Sequence, residues 1–228
     1  MTRVTDEPII LLHSRAYRES SLILSALSLH HGRVSLISRG AKSSRRGRVL
    51  QPLNTLRVSW SGRSTLLTMG SFELDAQPIL SGTALVAGLY LAELTSRLLT
   101  EREAHPRLFS GLYWALDNLT DDLEAVLRRF EKLLLDDLGY GLDFRTDALS
   151  GRAIDPENFY RFDPTQGFVF SASGRGYPGS ALLAIAQGEY TDALVRKVAK
   201  RIFRQALALH LGPRPLLSRK LLFQARVS

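Results

Sequence analysis

The stretch R-V-S-L-I-S-R, Arg33–Arg39, decides how the first third of the chain is read. Val34 and Leu36 point one way and Arg33, Ser35 and Ile37 the other, the two-residue period of a strand with one buried face. T-L-R-V-S-W, Thr55–Trp60, repeats the pattern: Leu56, Val58 and Trp60 share a face and leave Arg57 and Ser59 on the other. Outward from these two, Pro8–His13 is a short apolar strand. Ser20–Leu29 is a longer one, with Leu22, Leu24 and Ala26 alternating against Ser21, Ile23 and Ser25. Leu53–Trp60 and Thr65–Leu74 complete the set, and breaks containing Gly, Ser and Pro separate them. Five short strands in about 75 residues predict a small closed barrel, which leaves no sheet edge exposed.

From Ser81 the period becomes helical. Thr83–Thr100 and His105–Leu119 read as helices, the second with Pro106 at its first position. In Asp121–Leu138, Asp121 and Glu124 suit a capping box, Leu123, Leu127, Phe130, Leu134 and Leu138 form one seam, and Gly139 ends it. Residues 158–172 read as a hairpin turning through Asp163–Gly167. Thr191–Leu211 is a helix opened by Thr191 and closed by Gly212-Pro213, and Ser218 caps a final helix. The chain is therefore α+β, with a five-stranded barrel over residues 1–80 and a mainly α-helical domain over 81–228 that holds the small β-hairpin.

The 228 residues contain no cysteine, which excludes disulfides, thiol nucleophiles and thiolate metal sites. The most apolar run, Ala84–Leu99, is interrupted by Gly88, Glu93, Thr95 and Arg97 and is too short and polar to span a bilayer. Met1–Glu7 is polar and carries acids, so no signal peptide is expected, and the expected location is cytoplasmic.

Net charge is +8, and it is segregated. Residues 1–80 carry net +6, residues 81–190 net −6, and residues 191–228 net +8. Between Glu19 and Glu73 no acid occurs, whereas Arg33, Arg39, Lys42, Arg45, Arg46, Arg48, Arg57 and Arg63 do. A second acid-free stretch runs from Val195 to the end. Basic segments around an acidic middle imply a polyanionic partner, nucleic acid before membrane.

Two segments carry this expectation. Gly32–Pro52 alternates bases with Gly and Ser, which reads as a mobile loop that brings the forked guanidiniums of arginine to phosphates. No Walker-type phosphate loop is present. In Thr191–Leu211, Arg196, Lys197, Lys200, Arg201 and Arg204 fall within an arc of about 140°, with Val195, Val198, Ala199, Ile202, Ala206 and Leu209 opposite as the core face. No histidine has ligand spacing and no G-x-S-x-G occurs, so no catalytic constellation, metal or cofactor is expected. A binding protein is favoured over a phosphate-ester enzyme that would use the basic loop as an anion clamp.

Six stretches carry a resemblance. They are H-S-R-A-Y-R-E-S-S-L (His13–Leu22), H-G-R-V-S-L-I-S-R-G-A-K (His31–Lys42), L-Q-P-L (Leu50–Leu53), G-L-Y-L-A-E-L (Gly88–Leu94), the segment Leu127–Gly141 with L-R-R-F-E and L-G-Y-G, and L-G-P-R-P-L-L-S-R-K-L (Leu211–Leu221). In this order they resemble the bacterial RecO family of recombination mediators over most of the chain. The resemblance implies an N-terminal OB-fold, a helical domain and no catalysis. It implies binding to single- and double-stranded DNA, annealing of complementary strands, and help for a RecA-type recombinase in replacing single-strand-binding protein, with a RecR-type partner and a nucleoid-associated location. It also implies that the helical domain captures the acidic, Phe-terminated tail of single-strand-binding protein. Arg128, Arg129 and Lys132 lie outside the apolar seam as candidates for that tail, and the family pattern favours Arg128. Some relatives carry a four-cysteine zinc motif after L-G-Y-G. Leu142–Gly179 has no cysteine here, and no zinc is expected. An OB-fold does not by itself choose DNA over RNA, so an RNA-binding protein is the alternative reading.

Overall fold

The computed structural model describes every residue except Met1, Ser43, Arg45 and 225–228, and the side chains of Thr2, Arg46, Lys220 and 222–224 also lie outside the description. The chain forms two compact units, Met1–Leu123 with Pro215–Ser228, and Glu124–Arg214.

The first unit is built on five strands: β1 (Thr2–Tyr17), β2 (Ser21–Ser28), β3 (Gly32–Ser38), β4 (Thr55–Gly62) and β5 (Leu66–Ala76). They close in the order β1-β2-β3-β5-β4. Only β3 and β5 run parallel, with Ser35 opposite Leu66. Ile9 and Ile10 close the ring, because each pairs with β2 on one side and β4 on the other. This is the five-stranded OB barrel expected from the sequence. The alternation read in β3 and β4 holds: Val34, Leu36, Leu56, Val58 and Trp60 point into the barrel with Ile9, Leu11, Leu24, Leu67 and Met69. Each of the larger side chains contributes about 1.5–3 kcal/mol by leaving water.

β1 is far longer than the expected Pro8–His13. Its polar ends carry no apolar pattern because ladder hydrogen bonds hold them, Thr2–Val4 on β4 and His13–Tyr17 on β2. The register shifts between Val4 and Glu7, where Asp6 has φ 55° and bends the strand toward closure. β4 begins at Thr55 rather than Leu53, since Leu53 sits in a turn at φ 77°.

The same unit contains α1 (Gly82–Leu98), α2 (Pro106–Asn118, with the proline at its start) and α6 (Leu217–Gln224). Ser218 does not cap α6 from outside. The Glu93 carboxylate of α1 does, accepting from the Leu217 and Ser218 amides at 2.9 Å each and from the Ser218 hydroxyl at 2.6 Å.

The second unit holds α3 (Leu123–Asp137, its first residue aside), β6 (Phe159–Asp163), β7 (Gly167–Phe170), β8 (Tyr177–Pro178), α4 (Gly179–Gln187) and α5 (Ala193–Leu211). The hairpin gains a third strand, in the order β7-β6-β8, and α4 follows where the sequence reading assigned nothing. Its continuous apolar run, A-L-L-A-I-A, lacks a diagnostic period. α3 ends as expected at Gly139, φ 79°, with the Tyr140 amide reaching back to the Leu135 carbonyl at 2.8 Å. Asp192, not Thr191, caps α5, accepting from the Leu194 and Val195 amides at 2.7 and 3.1 Å.

Aspartates organise the cysteine-free segment Leu142–Gly179. Asp147 is 4 % exposed and accepts from the amides of Leu149, Ser150 and Phe170 and from the Ser150 hydroxyl. Asp155 and Asp163 tie their own turns in the same way, through Glu157 and Asn158 and through Thr165 and Gln166. Cross-links of this kind fold the segment through side-chain oxygens.

Candidate nucleic-acid interface

The described residues of the β3–β4 connection pack on the barrel. Ala41 and Leu50 are buried in the barrel core, a short 3-10 helix spans Arg46–Val49, and the Lys42 amide donates to the Ser20 carbonyl at 2.9 Å. The Gly47 amide bonds the Ser44 hydroxyl at 2.9 Å, and the Asn54 amide group holds the Val49 carbonyl at the same distance. A Cβ on Gly47 would lie 1.8 Å from the Ala41 carbonyl oxygen, so the turn closes only around glycine. Gly47 here serves close backbone approach. The result is a platform that projects Arg39, Lys42 and Arg48 into solvent, with no acidic partner among the described residues. Arg45 lies outside the described residues, as does the side chain of Arg46. Beside the platform, Arg39, Gly40, Ser44, Thr68, Gly70 and the half-buried Phe72 help line a cavity of about 330 Å³.

Two other arginines of the acid-free stretch are already paired. Arg33 Nη1 lies 3.3 Å from Glu101 Oε1, and its Nε donates to the Leu99 carbonyl at 3.1 Å. Arg57 makes a two-pronged contact with Asp6 at 2.8 and 2.5 Å, which holds the Asp6 carboxyl below its ordinary value.

In the second unit, α5 buries Val195, Val198, Ala199, Ile202, Phe203, Ala206 and Leu207. Leu209, expected in the core, is 53 % exposed. Lys197, Arg201 and Arg204 are exposed and have no partner among the described residues. Lys200 lies 3.6 Å from Glu124, and Arg196 donates through Nε to the Tyr190 carbonyl. Among the described residues the stripe thus divides into three unpaired cations and two that are engaged.

On α3 the arrangement is the reverse of what the family pattern suggested. Arg128 is buried and paired at 2.9 Å with the buried Glu131, while Arg129 is exposed. Lys132 is paired with Asp136 at 2.7 Å. Burial pushes the nearby Tyr190 phenol up to about 12, although the positive Arg128 pulls the other way. Charge counting along the sequence did not separate these roles, because the paired acids lie on the same helix.

Among the described residues, no group of three or more metal-ligating side chains converges. No helix of the described residues is long and apolar enough to cross a membrane.

Comparison with known proteins fits this geometry. Residues 1–76 match the family model for the recombination protein O N terminal, and residues 80–220 match the model for its C terminal. A DNA repair protein RecO of Cellvibrio japonicus is 41 % identical over 229 residues, covering 96 % of this chain and 97 % of the relative. One from Methylococcus capsulatus is also 41 % identical, over 226 residues and 96 % and 93 % of the two chains. One from Coxiella burnetii is 40 % identical over 229 residues, covering 97 % and 99 %. With both family models matched in order, near-complete coverage of the relatives and an OB barrel followed by helices, the chain belongs to the RecO family.

Proposed function

We propose that this protein is a non-enzymatic DNA-binding mediator of recombinational repair. It anneals complementary strands and helps load a RecA-type recombinase onto DNA coated with single-strand-binding protein. The observation that carries this reading is the β3–β4 platform on the barrel, where Arg39, Lys42 and Arg48 stand exposed without acidic partners among the described residues. Arginine and lysine held in this way bind phosphates without selecting sequence, and that suits a protein that must accept any strand. Lys197, Arg201 and Arg204 on α5 supply a second phosphate-binding stripe. Neutralising two strands at once lowers their repulsion and favours pairing.

The reading extends to partners. The acidic tail of single-strand-binding protein docks on the helical unit, with Arg129 the exposed cation of α3 that meets its terminal carboxylate. A RecR-type protein completes the loading complex, and the site of action is the nucleoid.

Annealing of two complementary labelled oligonucleotides, bare and coated with single-strand-binding protein, tests the reading. Acceleration in both cases is expected. Absence of acceleration on bare strands overturns it. Preference for RNA in competition with matched DNA would favour an RNA-binding role.

A further inference from the structure

The opposite end of the barrel holds a second, unassigned cavity of about 280 Å³. Its walls are apolar side chains of the barrel strands: Val34, Leu67 and the indole of Trp60, which is only 5 % exposed. Its rim carries Arg63 from the β4–β5 turn, Arg102 from the α1–α2 connection, and His30 and His31 from the β2–β3 turn. No acid lines it.

The rim is built, not incidental. His31 stands edge-on to Trp60 with ring centroids 5.5 Å apart. The β2–β3 turn is pinned from beneath by the buried Glu7 carboxylate. Glu7 accepts from the Ser28 hydroxyl at 2.6 Å and the His30 amide at 2.8 Å, and lies 3.0 Å from His30 Nδ1. The α1–α2 connection lies against β3 at Gly32, where a Cβ would sit 1.9 Å from the Glu103 carbonyl oxygen. Arg102 is held there at φ 64°, a left-handed conformation costly for arginine, with its amide on the Arg33 carbonyl and its guanidinium on the Ser64 carbonyl. Arg63 is exposed and unpaired among the described residues.

We propose that this cavity receives one nucleotide of a DNA strand, its base against Trp60 and His31 and its phosphate between Arg63 and Arg102. An apolar floor that includes an indole, with two arginines on the rim, matches a planar base joined to a phosphate, and the volume admits one base and not a run of them. The site rests on the DNA-binding reading above and adds a fixed register point to it. The platform on the β3–β4 connection grips backbone anywhere, whereas the cavity holds one base in place.

Trp60 and Trp114 are the two tryptophans of the chain. A full-length Trp114→Phe protein therefore reports from the cavity alone. It is titrated with a short thymidine oligonucleotide carrying a terminal phosphate, while anisotropy of a long labelled strand is followed in parallel. A saturable change in Trp60 emission is expected. Arg63→Ala with Arg102→Asn, the asparagine chosen to tolerate the positive φ, should weaken it about tenfold or more. His31→Ala, which leaves both arginines in place, should weaken it too. Long-strand binding without any Trp60 response, or a response unaltered by these variants, overturns the cavity assignment alone. No long-strand binding by the unmodified protein overturns the DNA reading as well. A stronger Trp60 response to a peptide ending in Phe would make the cavity a peptide site and overturn the proposal.

Discussion

Arg33 and Glu101 form an ion pair at 3.3 Å, and their backbones make a parallel bridge at the open start of β3. Glu101 Oε1 also accepts from the Ser35 hydroxyl at 3.1 Å. A cation near the start of a long acid-free stretch of sequence is thus balanced by an acid brought in from the α1–α2 connection. Its expected contribution to DNA binding is small. Arg33→Ala should leave the log–log salt slope nearly unchanged, while Arg39→Ala with Arg48→Ala should reduce its magnitude by about 1–2, near 0.7 per contact on single strands. Binding isotherms across a salt series decide this, and equal slopes for the two proteins would refute the platform assignment.

The three unpaired cations of α5 give a second test. Reversing Lys197, Arg201 and Arg204 to glutamate should weaken DNA binding at least about tenfold and leave the thermal midpoint close to normal. These side chains point away from the buried seam of Val198, Ile202 and Phe203. Unfolding of the variant, with normal affinity in the molecules that remain folded, would make the stripe structural.

Arg128 and Glu131 predict stability, not peptide affinity. Removing one charge from a buried pair strands the other, and Arg128→Ala is expected to cost about 3–5 kcal/mol in chemical denaturation. Replacing both with apolar residues of similar volume should recover much of that loss. Arg129→Ala, by contrast, should fold normally and lower affinity for a Phe-terminated acidic peptide about tenfold in calorimetry. Undiminished peptide binding by that variant would remove α3 from the tail site.

Asp147 links the hairpin to pH. Burial raises its carboxyl, but donors from Ser150, Phe170 and Leu149 outweigh this and hold it below the ordinary 3.8. The folded value is the lower one, so the stabilisation is present above the unfolded aspartate value and is lost as pH falls through the folded value. Asp147→Ala should cost about 2–3 kcal/mol near neutrality by stranding buried amides. The difference from wild type should shrink as denaturation is repeated from about pH 6 toward about pH 2. A difference that stays constant with pH would show that the carboxylate charge is not what the turn uses.

The strand alternation in Arg33–Arg39 and Thr55–Trp60, the helical seam of α3 and the absence of cysteine determined the barrel, the helical part and the lack of a thiolate site directly, because burial of one face imposes a period that local sequence records. Charge segregation likewise identified which segments carry excess cations. Which cations are free was decided by tertiary structure. Glu101 and Asp6 reach Arg33 and Arg57 from outside the acid-free stretch, and α3 buries Arg128 against Glu131. The long ends of β1, the Glu93 cap on α6 and the Trp60 cavity also left no local pattern, since each depends on groups that only folding brings together. Local periodicity fixes which side of an element faces the core, but an ion pair, a long-range cap or a cavity is a relation between elements, and its energy exists only once the chain has closed.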